Sequence, residues 1–199
     1  IQFKIAPYLY ISSMNNEYKK VGPDEIAYFE QTIGEENVYL DTTSIEKYSR
    51  DETDGCAFAP EVVLKPRTTK EVSAIMHYCN TNKIPVSPRA AGTGLSANSL
   101  CVHGGVMLSV ERMNTILDID ERNLQVTTEP GVITEYIQNT LQEKGLFYPV
   151  DPSSRGTCFI GGNVACNSGG PRAVKYGVVK DFVLNLEVVL PNGEIIWTG

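Results

Sequence analysis

Residues 149–177 constrain this chain more than any other stretch. Six glycines fall between positions 156 and 177, interleaved with Val150, Phe159, Ile160, Val164 and Val174 rather than with charge. A disordered linker lacks such apolar residues, and long ordered loops in compact domains are usually functional. The segment therefore reads as an ordered loop that contacts a ligand. A second small-residue stretch, PRAAGTGLSAN, occupies residues 88–98. Its short side chains let the backbone approach a ligand, and positive φ at glycine lets successive N–H groups converge on an anion. It has neither the G-x-x-x-x-G-K-[ST] nor the G-x-G-x-x-G spacing. Taken alone, it fits a tight surface turn equally well.

The rest of the chain supplies the frame. Residues 23–33 (PDEIAYFEQTI) predict a short helix with Ile26, Phe29 and Ile33 at helical spacing. Residues 41–60 are polar and turn-rich, and DETDG (51–55) resembles a calcium loop only superficially, its glycine standing one place too early. EVVLK (61–65) predicts a strand. Thr68-x-x-Glu71 is a capping box opening a helix with Val72, Ile75, Met76 and Cys79 on one face. Further strands are expected at 84–88 and 105–110. This β-α-β-loop-β order predicts a small parallel unit, with ligands at the C-terminal ends of its strands. Residues 116–119 and 124–128 form a hairpin pattern. A second helix follows, with Ile133, Tyr136, Ile137 and Leu141 on its apolar face and Lys144-Gly145 as its stop. A second hairpin, 182–190 with 194–197, turns at Pro191-Asn192-Gly193. The class is α+β. An N-terminal extension (1–40) with a short helix precedes a first lobe (41–114) and a second lobe (115–199), meeting near residues 112–116.

Charge and cysteine usage exclude several functions. The net charge is −7, and the acid concentrates in residues 1–60, as a solvated surface. With no basic tract the chain is a poor general nucleic-acid binder, and no apolar run reaches the ~18 residues of a membrane span. Cys56, Cys79, Cys101, Cys158 and Cys166 form no C-x-x-C pair, and His77 and His103 are isolated, so no metal site is supported. The odd, scattered cysteines suit a reducing compartment, and with no signal-peptide pattern the expected location is cytoplasmic. His77 is expected to face solvent, His103 to serve a turn, and Trp197 to pack. The first methionine is Met14, so residues 1–13 are expected to be an extension. The strand-like run before Gly199 suggests truncation within the second lobe.

R-A-A-G-T-G-L-S (89–96), I-G-G-N-V-A-x-N-S-G-G-P-R (160–172) and K-Y-G-V-V-K-D (175–181) together carry a resemblance. They are similar to the FAD-binding domain of the vanillyl-alcohol oxidase / p-cresol methylhydroxylase family. Within it they look closest to the branch of D-lactate dehydrogenase, glycolate oxidase flavoprotein subunit and D-2-hydroxyglutarate dehydrogenase. The likeness covers about residues 40–199. It implies a two-lobed FAD-binding domain, a small parallel α/β lobe plus a mainly antiparallel α/β lobe, with FAD between them.

Carried over, the resemblance makes Arg89, Ala90, Ala91, Gly92, Thr93, Gly94, Leu95 and Ser96 the pyrophosphate loop. It makes Ile160, Gly161, Gly162, Asn163, Ala165, Asn167, Gly169 and Gly170 the wall along the ribityl chain and ring, with Asp151, Pro152 and Gly177 at its edges. It implies non-covalent FAD, because Thr93 stands where other branches carry a tethering histidine. The related cysteinyl tether maps nearer Arg155 than Cys158 or Cys166. The implied reaction is oxidation of a small D-2-hydroxy acid by hydride transfer to flavin N5. The base and a carboxylate-binding arginine would belong to a substrate (cap) domain absent from these residues, so no catalytic residue is assigned and this portion alone should be inactive. The alternatives are another family member such as an alkylglycerone-phosphate synthase, a subunit of a larger complex, and a non-catalytic nucleotide-binding module.

Overall fold

The computed structural model describes residues 18–199; the extension expected over residues 1–13 lies outside them. Helix α1 (Pro23–Ile33) forms where its pattern predicts. Pro23 occupies the first turn, where a missing N–H costs nothing, and Phe29 and Ile33 are buried. Glu25 is buried as well, accepting from Lys19 Nζ at 2.5 Å and from the Gly22 N–H at 2.9 Å.

The main sheet contains β1 (Val38–Tyr39), β2 (Val62–Leu64), β3 (Val86–Arg89) and β4 (Val106–Ser109) in the order β1-β2-β4-β3. β2, β4 and β3 are parallel, with Val62 opposite Val106 and Arg89 opposite Ser109. β1 adds an antiparallel edge. Strands buried on both faces read as continuous apolar runs. Accordingly Val62, Leu64, Val106 and Leu108 pack on α1 and α3 (Thr69–Asn82) through Phe29, Ile75 and Cys79. Val63 and Met107 pack on the opposite face against Tyr48 and Cys101. The expected capping box opens α3: the Thr68 hydroxyl accepts from the Glu71 N–H at 3.2 Å, and the Glu71 carboxylate accepts from the Thr68 N–H at 3.2 Å.

The hairpin of β5 (Ile116–Asp120) and β6 (Gln125–Thr128) is antiparallel. It packs with α4 (Thr134–Glu143) through Ile116, Ile119, Val126, Val132, Ile137 and Leu141. The hairpin of β7 (Glu187–Val189) and β8 (Ile195–Trp197) closes the chain. It rests on α3: Ser73 Oγ donates to the Gly193 carbonyl at 2.5 Å, and His77 Nδ1 lies 3.1 Å from the Asn192 carbonyl. The exposed His77 thus also anchors a hairpin turn. His103 sits in an exposed turn beside the Tyr18 ring, at 5.3 Å between centroids.

Several expectations need correction. The turn-rich stretch 41–60 contains a helix, α2 (Thr42–Tyr48), capped by the Asp41 carboxylate on the Ser44 N–H. Its seven residues carry too few apolar positions to show a period. Residues 149–177 are not one loop but hold α5 (Ile160–Ala165) and α6 (Ala173–Tyr176). The apolar face of α4 is narrower than expected, because Tyr136 is 58% exposed and Ile133 is its exposed N-cap. The strand expected from 182 begins at Glu187, after a 3₁₀ turn over Val179–Asp181. Trp197 does not pack; it is 62% exposed.

Candidate cofactor site

Arg89 ends β3 at the C-terminal edge of the parallel strands, where open α/β sheets place their ligands. The chain then turns sharply. Gly92 has φ +73°, and a Cβ there would lie 2.0 Å from Arg89 Nη2. The positive φ favours glycine, and a side chain there would displace the guanidinium from beneath this loop. Arg89 is 8% exposed, and its Nη1 has no hydrogen-bond partner among the described residues. Burial draws its pKa below the ordinary arginine value while Asp51 pulls the other way; the group stays charged.

The loop is braced from an unexpected direction. The Glu52 N–H donates to the Gly94 carbonyl at 3.2 Å, and the Ala97 N–H donates to Thr53 Oγ1 at 2.8 Å. Ser99 Oγ donates to Asp51 Oδ2 at 3.3 Å. DETDG (51–55) is thus a support for residues 94–99. No group of His, Cys, Asp and Glu able to hold a metal occurs among the described residues.

α2 supplies residues that the sequence reading missed. Tyr48 is buried, its ring centroid 5.4 Å from Arg89 Cζ, and its hydroxyl donates to Glu111 Oε2 at 2.6 Å. Lys65 is ion-paired with Glu111 Oε1, and its ammonium lies 4.1 Å from the Tyr39 ring. Burial opposes ionisation of Glu111, yet the bonds from Lys65 and Tyr48 outweigh it and hold the carboxyl below its ordinary pKa. Burial likewise opposes the charge on Lys65, and Glu111 and Tyr48 reverse the balance. The only sequence clue was an aromatic, Tyr48, in a polar stretch.

The second segment meets the first at this point. A cavity of about 210 Å³ is lined by Lys47, Tyr48, Arg89, Ala90, Ala91, Glu111, Thr157 and Phe159. α5 runs alongside the first loop. A Cβ on Gly162 would come 3.0 Å from the Ala90 methyl, and Asn98 Nδ2 lies 3.6 Å from Cys166 Sγ. Gly161 serves packing, since its Cβ would meet that of Pro130 at 2.6 Å. Ile160 donates its N–H to the Val132 carbonyl, and Asn163 is buried with Nδ2 on Thr134 Oγ1 at 2.5 Å.

The remaining expected residues form a second cluster. Asp151 is buried, ion-paired with Arg172 at 3.2 Å, and Gly170 fits against its carbonyl, which a Cβ would approach to 2.2 Å. Pro152, half-buried, caps the following turn by accepting from the Arg155 N–H at 2.9 Å. Asn167 accepts from the Lys180 N–H at 2.9 Å, and Gly169 faces Val178. Gly177 turns at φ +87° above Asp181. Ala165, Leu95 and Ser96 are exposed, while Thr93 and Gly94 are half-buried.

A parallel unit with a small-residue loop at its strand ends, faced by a second glycine-rich segment across a cationic cavity, defines a nucleotide-cofactor domain. The chain belongs to the family of FAD binding domains, which it matches over residues 60–199. It is 46% identical over 169 residues to the glycolate oxidase subunit GlcD of Bacillus subtilis (strain 168), covering 85% of this chain and 36% of that protein. It is 41% identical over 184 residues to a D-lactate dehydrogenase of Anaerostipes hadrus, covering 92% and 38%. Among solved structures it is similar to 4-ethylphenol oxidase from Gulosibacter chungangensis, with a TM-score of 0.77, 28% identity, and coverage of 92% of this chain and 36% of that one. The chain therefore spans little more than a third of these relatives.

FAD is the cofactor of this family, and the residues fit it. A buried cation has an N–H without a partner among the described residues, a backbone of small residues stands beside it, and α5 approaches closely opposite. No helix among the described residues is long and apolar enough to cross a membrane.

Proposed function

We propose that this chain is the FAD-holding part of a flavin-dependent oxidoreductase that acts on a D-2-hydroxy acid of the lactate, glycolate or 2-hydroxyglutarate type. The observation that carries the reading is the convergence of Arg89–Ala91 and the second glycine-rich segment on one cavity, with Arg89 Nη1 unpartnered among the described residues. The names of the relatives support the substrate class.

In this reading residues 41–114 and 115–199 are the two lobes. Residues 89–96 hold the diphosphate through Arg89 and backbone N–H groups, and residues 160–170 wall the ribityl chain and ring, with Asp151, Pro152 and Gly177 at the edge. When bound, FAD supplies the acceptor for the substrate's α-hydride at N5; the cofactor carries the redox chemistry. The chain's own residues orient it, neutralise its charge and keep water from one side. The substrate's base and carboxylate partner belong to a further domain of the whole protein, which works in the cytoplasm.

The test has two parts. The visible absorption of the purified protein shows flavin bands if FAD is held, whereas a plain nucleotide module shows none. The whole protein is then assayed with D-lactate, glycolate and D-2-hydroxyglutarate and an artificial electron acceptor. Turnover on at least one is expected; turnover on none would remove the substrate class. Residues 1–199 alone are expected to turn over none of them.

A further inference from the structure

We propose that Tyr48 is a positioning residue for the Arg89 guanidinium, holding it so that a diphosphate ligand loses affinity when the Tyr48 ring is removed. The proposal rests on the reading that FAD occupies this cleft.

Arg89 is a buried charge that Asp51 and Glu111 attract through space without a hydrogen-bonded counter-ion among the described residues. Buried charges are normally paired, yet no carboxylate hydrogen-bonds this one and Nη1 has no partner among the described residues. The nearby carboxylates take their hydrogen bonds from other groups and act on Arg89 only through space. Glu111 takes Lys65 on one oxygen and the Tyr48 hydroxyl on the other. Asp51 takes the Thr53 N–H and the Ser99 hydroxyl. An anion entering the cavity is thus the partner that the fold leaves room for, and a charge-assisted bond to a phosphate oxygen is the strong kind.

The guanidinium is held on two sides. Gly92 closes over it, and the Tyr48 ring lies 5.4 Å from Cζ. That ring is fixed in turn by Glu111 and Lys65, with Lys65 set on Tyr39 of the sheet's edge strand. Arg89 ends one strand while Glu111 follows another, so the brace ties the guanidinium to the sheet rather than to its own loop. Removing Tyr48 would free the guanidinium without removing its charge.

The test uses deflavinated protein titrated with FAD, riboflavin and ADP, for wild type and for Arg89→Met, Arg89→Lys, Tyr48→Leu and the double variant Arg89→Met/Tyr48→Leu, each with a folded circular dichroism spectrum. Arg89→Met is expected to weaken FAD and ADP by about ten-fold or more with riboflavin unchanged. Tyr48→Leu shifts the FAD-to-riboflavin ratio the same way by less. Arg89→Lys, which keeps the charge without the fork, restores part of the ratio and serves if the methionine variant does not fold. The double variant should match Arg89→Met alone, because Tyr48 acts through Arg89. Equal losses for FAD and riboflavin, or additive effects in the double variant, would overturn the proposal while leaving the flavin reading intact. Wild type that takes ADP but no flavin, with the Arg89 effect on ADP present, would retain the anchor and remove the flavin reading.

Discussion

Gly162 and Ala90, 72 positions apart in the numbering, stand so close that a Cβ on Gly162 would lie 3.0 Å from the Ala90 methyl. This contact joins the two glycine-rich segments into one wall. Gly162→Val is expected to abolish FAD binding while the fold persists. Its branched side chain would push α5 away from residues 89–96, and overpacking of this sort costs ~1–3 kcal/mol. Gly162→Ala should lie between, because its methyl needs a shift of only a few tenths of an ångström. Calorimetric titration with FAD and a thermal melt measure both effects, and unchanged affinity in the valine variant would place the cofactor away from α5.

FAD should be held without a covalent bond, since Thr93 offers no imidazole to the flavin. Acid precipitation of the holoprotein followed by centrifugation should leave the yellow colour in the supernatant. Colour retained in the pellet would contradict this.

Stability should fall in acid. Burial opposes ionisation of Glu129, but hydrogen bonds from Arg67 and Thr115 outweigh it and hold its carboxyl below the ordinary range; Glu111 is held low in the same direction. The unfolded chain therefore binds more protons than the folded one at low pH. The stabilisation is complete above the unfolded carboxyl value of about 4.3 and disappears as pH falls through the lower folded value. Urea melts at about pH 6, 5, 4 and 3 should show the midpoint dropping mainly below about pH 4.5. Glu129→Gln should flatten that slope and lower the midpoint at neutral pH; a slope equal to wild type would mean that Glu129 stays unpaired in solution.

The cysteines should react in a set order. Burial pushes the thiol of Cys79 up to about 12 and that of Cys101 up to about 11, and the thiolate is the reactive form. Cys166 is exposed at the end of α5. Alkylation of the native protein followed by peptide mass analysis should find Cys166 modified first, with Cys79, Cys101 and the buried Cys158 untouched until unfolding. Equal labelling of Cys79 and Cys166 would show that the α3 face against the sheet opens readily.

Local chemistry made much of the fold legible in the sequence. The acids and Pro23 at the start of α1, the Thr68–Glu71 capping box and the Asp120–Asn123 turn between β5 and β6 all act within a few residues of themselves. Such signals survive in one dimension because the atoms that satisfy them are neighbours in the chain. Tertiary structure alone decided α5, whose Ile160-Gly161-Gly162 opening carries a helix penalty of about 1 kcal/mol per glycine. It forms because Gly161 must admit Pro130 and Gly162 must admit Ala90. Tertiary structure also decided that Arg89 would be buried with one nitrogen unpartnered among the described residues, beside a tyrosine from a helix that showed no period. Both outcomes depend on contacts between distant residues, and the burial of a charge or a glycine helix is settled only by what the rest of the chain brings against it.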